Sequence, residues 1–255
     1  MLPGRVMPRS LPRVEGLDYY GECRPASGAC GDFFDFAVLP QSSLAVTVGD
    51  VAAEGDGADV LKSGLQAFLR SRAVHGGEVA RVVEELNRAV CEVSFSNFYA
   101  TLFYAHVDPV GGQLHYASAR HEPALLVRDR TGRAERLQGT GTVLGVTPHA
   151  TYQHRTVSID PRDVLVAFTD GLPKSADSAG QELGEQGILR MVRNRPHARA
   201  AEVVCQILDE TGRNRLPRAT DDRTAIVIRF SELASAAVEA EAAVEPESKL
   251  VAAAA

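Results

Sequence analysis

Long apolar runs are missing from this chain. None of its 255 residues falls in an apolar stretch of 18 or more, which argues against a membrane-spanning helix. The first 20 residues contain Pro3, Pro8 and Pro12 and no continuous apolar core, which argues against a secretory signal. Cysteine is scarce. Cys23, Cys30, Cys91 and Cys205 lie apart and form no C-x-x-C, so they read as reduced thiols of a cytoplasmic protein. Cys30 adjoins an acidic segment; it reads as a small space-filling side chain, with oxidation as the sharper alternative. Concentrated positive charge is missing too: the formal net charge is -6. The one dense basic patch, at 213–218, reads as a solvated loop, and a nucleic-acid footprint is absent. The seven histidines form no H-x-x-x-H. There is no G-x-S-x-G elbow, no P-loop, and no cysteine followed by an anion-cradling loop and arginine. Zincin, serine-hydrolase, P-loop nucleotide and covalent thiol-phosphatase chemistries are therefore set aside.

The chain is 45% hydrophobic, enough for one large domain. Residues 1–17 read as a Pro-rich lead-in, 18–230 as one domain without internal repeats, and 231–255 as an Ala/Glu-rich tail too poor in bulky apolar residues to fold alone. Alternation predicts strands near 18–24, 32–39, 43–51, 98–107, 112–119, 123–129 and 224–230. Helical spacing predicts helices near 57–72, 77–94, 181–195 and 199–212; in the second, Val79, Val82, Val83, Leu86, Val90 and Val93 recur on one stripe. The run Val-Leu-Val-Ala-Phe within 163–169 predicts a strand buried on both faces. Meandering strands interrupted by helix pairs give an α+β, layered antiparallel fold.

Four acidic spots close apolar runs: Gly31-Asp32, Gly49-Asp50, Thr169-Asp170-Gly171 and Asp221-Asp222. Each alone reads as a turn former or helix cap. As a set at strand ends they point to a gathered carboxylate cluster, which repels itself unless cations neutralise it. Oxygen-only ligation favours Mg²⁺ or Mn²⁺ over zinc. Asp32 and Asp35 are three apart in an extended segment and so point to opposite faces; Asp32 is the one favoured for the site. The small residues after Asp50 allow a backbone carbonyl near Val51 to join as a ligand.

In order along the chain stand Arg24-Pro25-Ala26, Gly31-Asp32-Phe33-Phe34-Asp35-Phe36, Gly49-Asp50-Val51, Phe98-Tyr99-Ala100-Thr101-Leu102-Phe103-Tyr104, the segment 114–123 with its His-x-Pro, Leu144-Gly145-Val146, Thr169-Asp170-Gly171 and Asp221-Asp222-Arg223-Thr224. This series, covering about residues 18–230, resembles the SpoIIE/RsbU-like branch of the PPM-type, metal-dependent serine/threonine protein phosphatases. The resemblance implies a layered α-β-β-α fold, a central antiparallel β-sandwich flanked by helices. It implies two Mn²⁺ or Mg²⁺ ions, with Asp50 bridging them and Val51, Asp170 and Asp221 as further ligands. Asp32 would be a further metal ligand or an acidic residue directly behind the ligands, and catalysis would rest on Asp50 and Asp32. Adjacency leaves the choice between Asp221 and Asp222 open, with Asp221 preferred. The implied reaction is hydrolysis of phosphoserine or phosphothreonine by a metal-bridged hydroxide, on a phosphorylated anti-anti-sigma-type regulator in a bacterial partner-switching circuit.

The chain departs from the family pattern beside the site. Ala52-Ala53-Glu54 replaces Ser-Gly-Lys, Ala29-Cys30-Gly31 replaces Val-Gly-Gly, Arg120 stands where glycine is usual, and Lys174 follows Thr-Asp-Gly at a position where acid is common. None removes a proposed ligand. Arg120 and Lys174 are weak candidates for substrate phosphate, with surface salt bridging as the plainer role, and His121 reads as structural. No sensor segment is recognised, so control is expected from an activating partner, a homodimer or the altered loop after Asp50. Two other functions stay open: a catalytically impaired phosphatase fold that holds a regulator, and a hydrolase of small phosphoesters.

Overall fold

The computed structural model describes residues 11–26, 30–52, 57–93, 98–176, 180–213 and 221–231. Most of the lead-in, the altered loop at 53–56, most of the basic patch at 213–218 and the tail from 232 lie outside the described residues.

Among the described residues, ten strands form two five-stranded sheets, every neighbouring pair antiparallel. One sheet runs β1 (Leu17–Arg24), β10 (Arg223–Phe230), β9 (Val164–Phe168), β6 (Ala124–Val127), β7 (Ala134–Leu137). The other runs β2 (Asp32–Val38), β3 (Leu44–Ala52), β4 (Tyr99–Asp108), β5 (Gln113–Ala119), β8 (Arg155–Ser158). Helices α1 (Gly57–His75) and α2 (Val79–Val93) cover the second sheet; α3 (Gly184–Arg193) and α4 (Ala200–Arg213) cover the first. The result is the α-β-β-α sandwich expected from the sequence.

Period-two alternation sorts each strand between two cores. Leu44, Val46 and Val48 of β3 face the inter-sheet core, while Ala45 and Val51 face α1 and α2. The run in β9 divides the same way. Leu165 and Ala167 enter the sandwich, and Val164, Val166 and Phe168 pack on α3 and α4. That is why the strand needs no polar face. Each fully buried large apolar side chain contributes about 1.5–3 kcal/mol.

The stripe on α2 behaves as its spacing demands, with Val79, Val82, Val83, Leu86 and Val90 all buried. Asn87 is buried among them, and its amide is satisfied. Nδ2 donates to the Thr147 carbonyl at 2.8 Å, and Oδ1 accepts from the Gly145 amide at 3.0 Å. The loop around Leu144 is thereby fixed against β4, where Ala100 and Leu144 exchange two backbone hydrogen bonds.

Two strands escaped the sequence reading. β7 and β8 are four residues each, largely exposed, and lie at the sheet edges. Short polar edge strands show no apolar alternation, because only one side of the ladder is paired. Among the described residues no helix is long and apolar enough to cross a membrane.

Candidate metal centre

Strand parity carries the acidic residues to one end of the sandwich. Asp32 shares the inner face of β2 with Phe34 and Phe36, and Asp50 the inner face of β3 with Val48. Asp32 and Asp50 are direct cross-strand partners, and Thr101 of β4 stands opposite Asp50 on the far side. Asp170 stands two residues after β9 and Asp221-Asp222 directly precede β10, strands that pair with each other. A β-carbon on Gly171 would fall 2.0 Å from the Asp222 carbonyl oxygen and 3.0 Å from Asp221 Cβ. Only glycine lets these two backbones meet.

Asp35 goes the other way. It is buried under α1, where Arg70 clasps its carboxylate. The three-residue spacing therefore separates one structural acid from one site acid.

Asp32 is 6% exposed, and its Oδ2 accepts from Thr169 Oγ1 at 2.6 Å and Thr224 Oγ1 at 2.7 Å. Burial pushes its carboxyl up to about 7, against the two hydroxyls, which favour the anion; the charges of Asp50 and Asp222 raise it further. Asp50 is pushed up to about 6, first by burial and then by Asp170, Asp222 and Asp221. Mutual elevation of this kind marks carboxylates that crowd one another.

The pair at 221–222 divides its labour. Asp222 Oδ1 accepts from the Ala26 amide at 2.8 Å and Oδ2 from the Gly31 amide at 2.7 Å, so it ties the chain before β2 to the start of β10. Asp222 is thus engaged by two backbone amides, and Asp221 remains the candidate ligand of the pair. Asp170 is met by Lys174 at 2.5 Å, which engages Lys174 with a carboxylate rather than leaving it as a bare phosphate contact. Arg120 follows β5, exposed, in the left-handed region with φ 50. His121 is buried, with Nδ1 2.9 Å from Thr101 Oγ1, and burial lowers it to about 4, so it is neutral near pH 7.

The side chains do not form a closed cage. Among the described residues no three His, Cys, Asp or Glu side chains stand close enough to enclose an ion. Like-charged carboxylates hold apart, and three of these have partners of their own: hydroxyls for Asp32, amides for Asp222 and Lys174 for Asp170. The donor set nevertheless fits hard divalent cations. At Gly31 a β-carbon would stand 2.9 Å from Asp50 Oδ1, 3.0 Å from the Val51 carbonyl oxygen and 4.0 Å from Asp222 Oδ2. Oxygens of three residues thus face one small space that glycine leaves open.

Sequence reasoning missed the hydroxyls of Thr169 and Thr224. The signal was present, since each threonine lies within three residues of a site carboxylate at a strand end. It also missed Lys62 of α1, whose Nζ reaches the Cys30 carbonyl at 2.5 Å.

The family described as Stage II sporulation protein E (SpoIIE) matches residues 40–231. The phosphoserine phosphatase RsbU of Bacillus subtilis is 27% identical over 219 residues, covering 86% of this chain and 65% of its own length. Protein IcfG of Synechocystis sp. is 27% identical over 210 residues, covering 72% of this chain and 33% of its own length. The chain therefore spans less than two thirds of either relative. Among solved structures, the RsbU and RsbW domains of Rv1364c from Mycobacterium tuberculosis superpose with a TM-score of 0.72 at 24% identity, covering 86% of this chain and 63% of that one. The catalytic domain of the serine/threonine phosphatase PstP in complex with two manganese ions superposes at 0.65 with 14% identity, covering 85% and 99%. Both likenesses concern the fold.

Proposed function

The chain belongs to the SpoIIE family, and from that premise we propose that it is a divalent-cation-dependent protein serine/threonine phosphatase with its catalytic domain at 18–230. The observation that carries this reading is the meeting of the Asp32–Asp50 cross-strand pair with Asp170 and Asp221 at one end of the sandwich.

Asp50, Asp170, Asp221 and the Val51 carbonyl would hold two Mn²⁺ or Mg²⁺ ions. When bound, such ions activate water for in-line attack on phosphorus and neutralise charge on the phosphoryl oxygens. The chain's own residues prepare that site. Thr169 and Thr224 fix Asp32 in one rotamer across the two sheets. Asp222 fixes Gly31 against Asp50 and Val51. Burial and the neighbouring carboxylates disfavour the charged forms of Asp32 and Asp50, so a cation that neutralises them relieves both costs. Arg120, exposed at the same end, is the candidate contact for substrate phosphate.

The substrate we propose is a phosphorylated anti-anti-sigma-type regulator. The relative named as the phosphoserine phosphatase RsbU supports a phosphoserine substrate. A second reading, a binding module that holds its regulator without turnover, is favoured by the Lys174 ammonium on Asp170, which competes with a cation there. The discriminating assay presents a generic phosphoester and a phosphorylated anti-anti-sigma-type protein, each with and without Mn²⁺. Mn²⁺-dependent release of phosphate from the phosphoprotein is the expected result. Absence of turnover on both sinks the enzyme, and turnover of the small ester alone replaces the protein substrate with a small one.

A further inference from the structure

The sulfurs of Cys23 and Cys30 are 2.8 Å apart, in two free cysteines whose side chains are both buried. We propose that this pair is a thiol–disulfide modification site, closed by a hydroperoxide, whose closure weakens cation binding at the neighbouring carboxylates. The closure stands by itself; its effect on turnover rests on the phosphatase reading.

A disulfide bond is about 2.05 Å long, so the sulfurs need to approach by less than about 1 Å. The residues come from different sheets. Cys23 lies on the inner face of β1, and Cys30 stands two residues before β2. A bond between them staples the sandwich at its acidic end.

Both anchor points touch the carboxylate set. Cys23 is the cross-strand partner of Thr224, whose hydroxyl holds Asp32. Cys30 is followed by Gly31, whose amide donates to Asp222 and whose carbonyl accepts from the Val51 amide at 3.2 Å. The Cys30 carbonyl also accepts from Lys62 of α1. Gly31 borders the oxygens proposed as ligands, since a β-carbon there would meet Asp50 Oδ1 and the Val51 carbonyl. Drawing Cys30 toward Cys23 therefore moves Gly31 relative to the oxygens proposed as ligands. The remaining cysteines lie elsewhere, Cys91 on α2 and Cys205 on α4.

The chemistry balances with one peroxide. One thiolate attacks a peroxide oxygen, the O–O bond breaks, and water leaves after proton uptake, giving a sulfenic acid. The second thiol attacks that sulfur, the S–O bond breaks, and hydroxide departs with the thiol proton as a second water. Two thiols lose two electrons, and one hydrogen peroxide becomes two waters.

The test uses the full chain carrying Cys91→Ser and Cys205→Ser, treated with hydrogen peroxide and then with dithiothreitol. The expected product has lost two hydrogens and yields a linked peptide pair containing Cys23 and Cys30. Mn²⁺ affinity, read by titration, and Mn²⁺-dependent turnover both fall several-fold on oxidation and return on reduction. Adding Cys23→Ala, or Cys30→Ala should the first not fold, abolishes the linked pair and the peroxide response. A folded protein that forms no linked pair, or that carries only sulfinic or sulfonic acid at these positions, overturns the proposal. So does a linked protein whose Mn²⁺ affinity is unchanged. A redox-dependent Mn²⁺ affinity in a protein with no turnover in either state upholds this proposal and removes the phosphatase reading instead.

Discussion

Replacing Asp32 by asparagine should reshape the pH dependence of stability. Asp32 is buried, and burial pushes its carboxyl up from an ordinary 3.8 to about 7. Below pH 3.8 both folded and unfolded chains hold the proton. Between 3.8 and 7 the unfolded chain releases it and the folded chain keeps it, so this group makes stability fall as pH rises. Above 7 its contribution is flat. Two histidines oppose it. His106 and His121 are lowered to about 4, so each makes stability rise with pH between about 4 and 6.5. The total profile therefore hides the carboxyl, but the difference between wild type and Asp32→Asn removes the histidines. Asparagine can keep its carbonyl oxygen where Oδ2 accepts the two threonine hydroxyls. Between about pH 5 and pH 8, the variant should gain about 2.5 kcal/mol relative to wild type in chelator-containing buffer. Urea unfolding at several pH values measures this directly. A gap independent of pH, or one that moves in favour of wild type as pH rises, refutes the account of Asp32.

Other substitutions separate the neighbouring groups. Lys174→Met removes the ammonium from Asp170 in an exposed pair, so it should change stability by less than about 1 kcal/mol and lower the Mn²⁺ concentration giving half-maximal activity or thermal shift. Asp222→Ala leaves the Ala26 and Gly31 amides without their charged acceptor and should cost about 3 kcal/mol in urea unfolding, whereas Asp221→Asn should lose Mn²⁺ binding with near-normal stability. Arg120→Gly relieves the left-handed backbone and removes the cation together. Stability should hold or rise by about 1 kcal/mol, while KM for a phosphoprotein rises and the Mn²⁺ dependence is unchanged.

Much of the fold was legible because burial imposes period. Val164–Phe168 announced itself as a doubly covered strand, and Val79, Val82, Val83, Leu86 and Val90 as a helix face. The edge strands Ala134–Leu137 and Arg155–Ser158 were illegible because nothing covers enough of them to select apolar residues. At the site, the separation of Asp32 from Asp35 followed from strand geometry alone. The tie of Asp222 to the amides of Ala26 and Gly31 did not, because adjacency in sequence carries no trace of a contact with the other end of the chain. The nearness of Cys23 and Cys30 was hidden for the same reason. Their spacing gives no sign that the chain changes sheet between them.

The central claim is that the strand-end carboxylates hold divalent cations together, with Asp50 at the middle of the set. Calorimetric titration of Mn²⁺ into the wild-type chain and into Asp50→Asn at neutral pH tests it most directly. Saturable binding to the wild type, lost in a variant that remains folded, is the predicted result. Equal binding by both proteins, or none by the wild type, would contradict it.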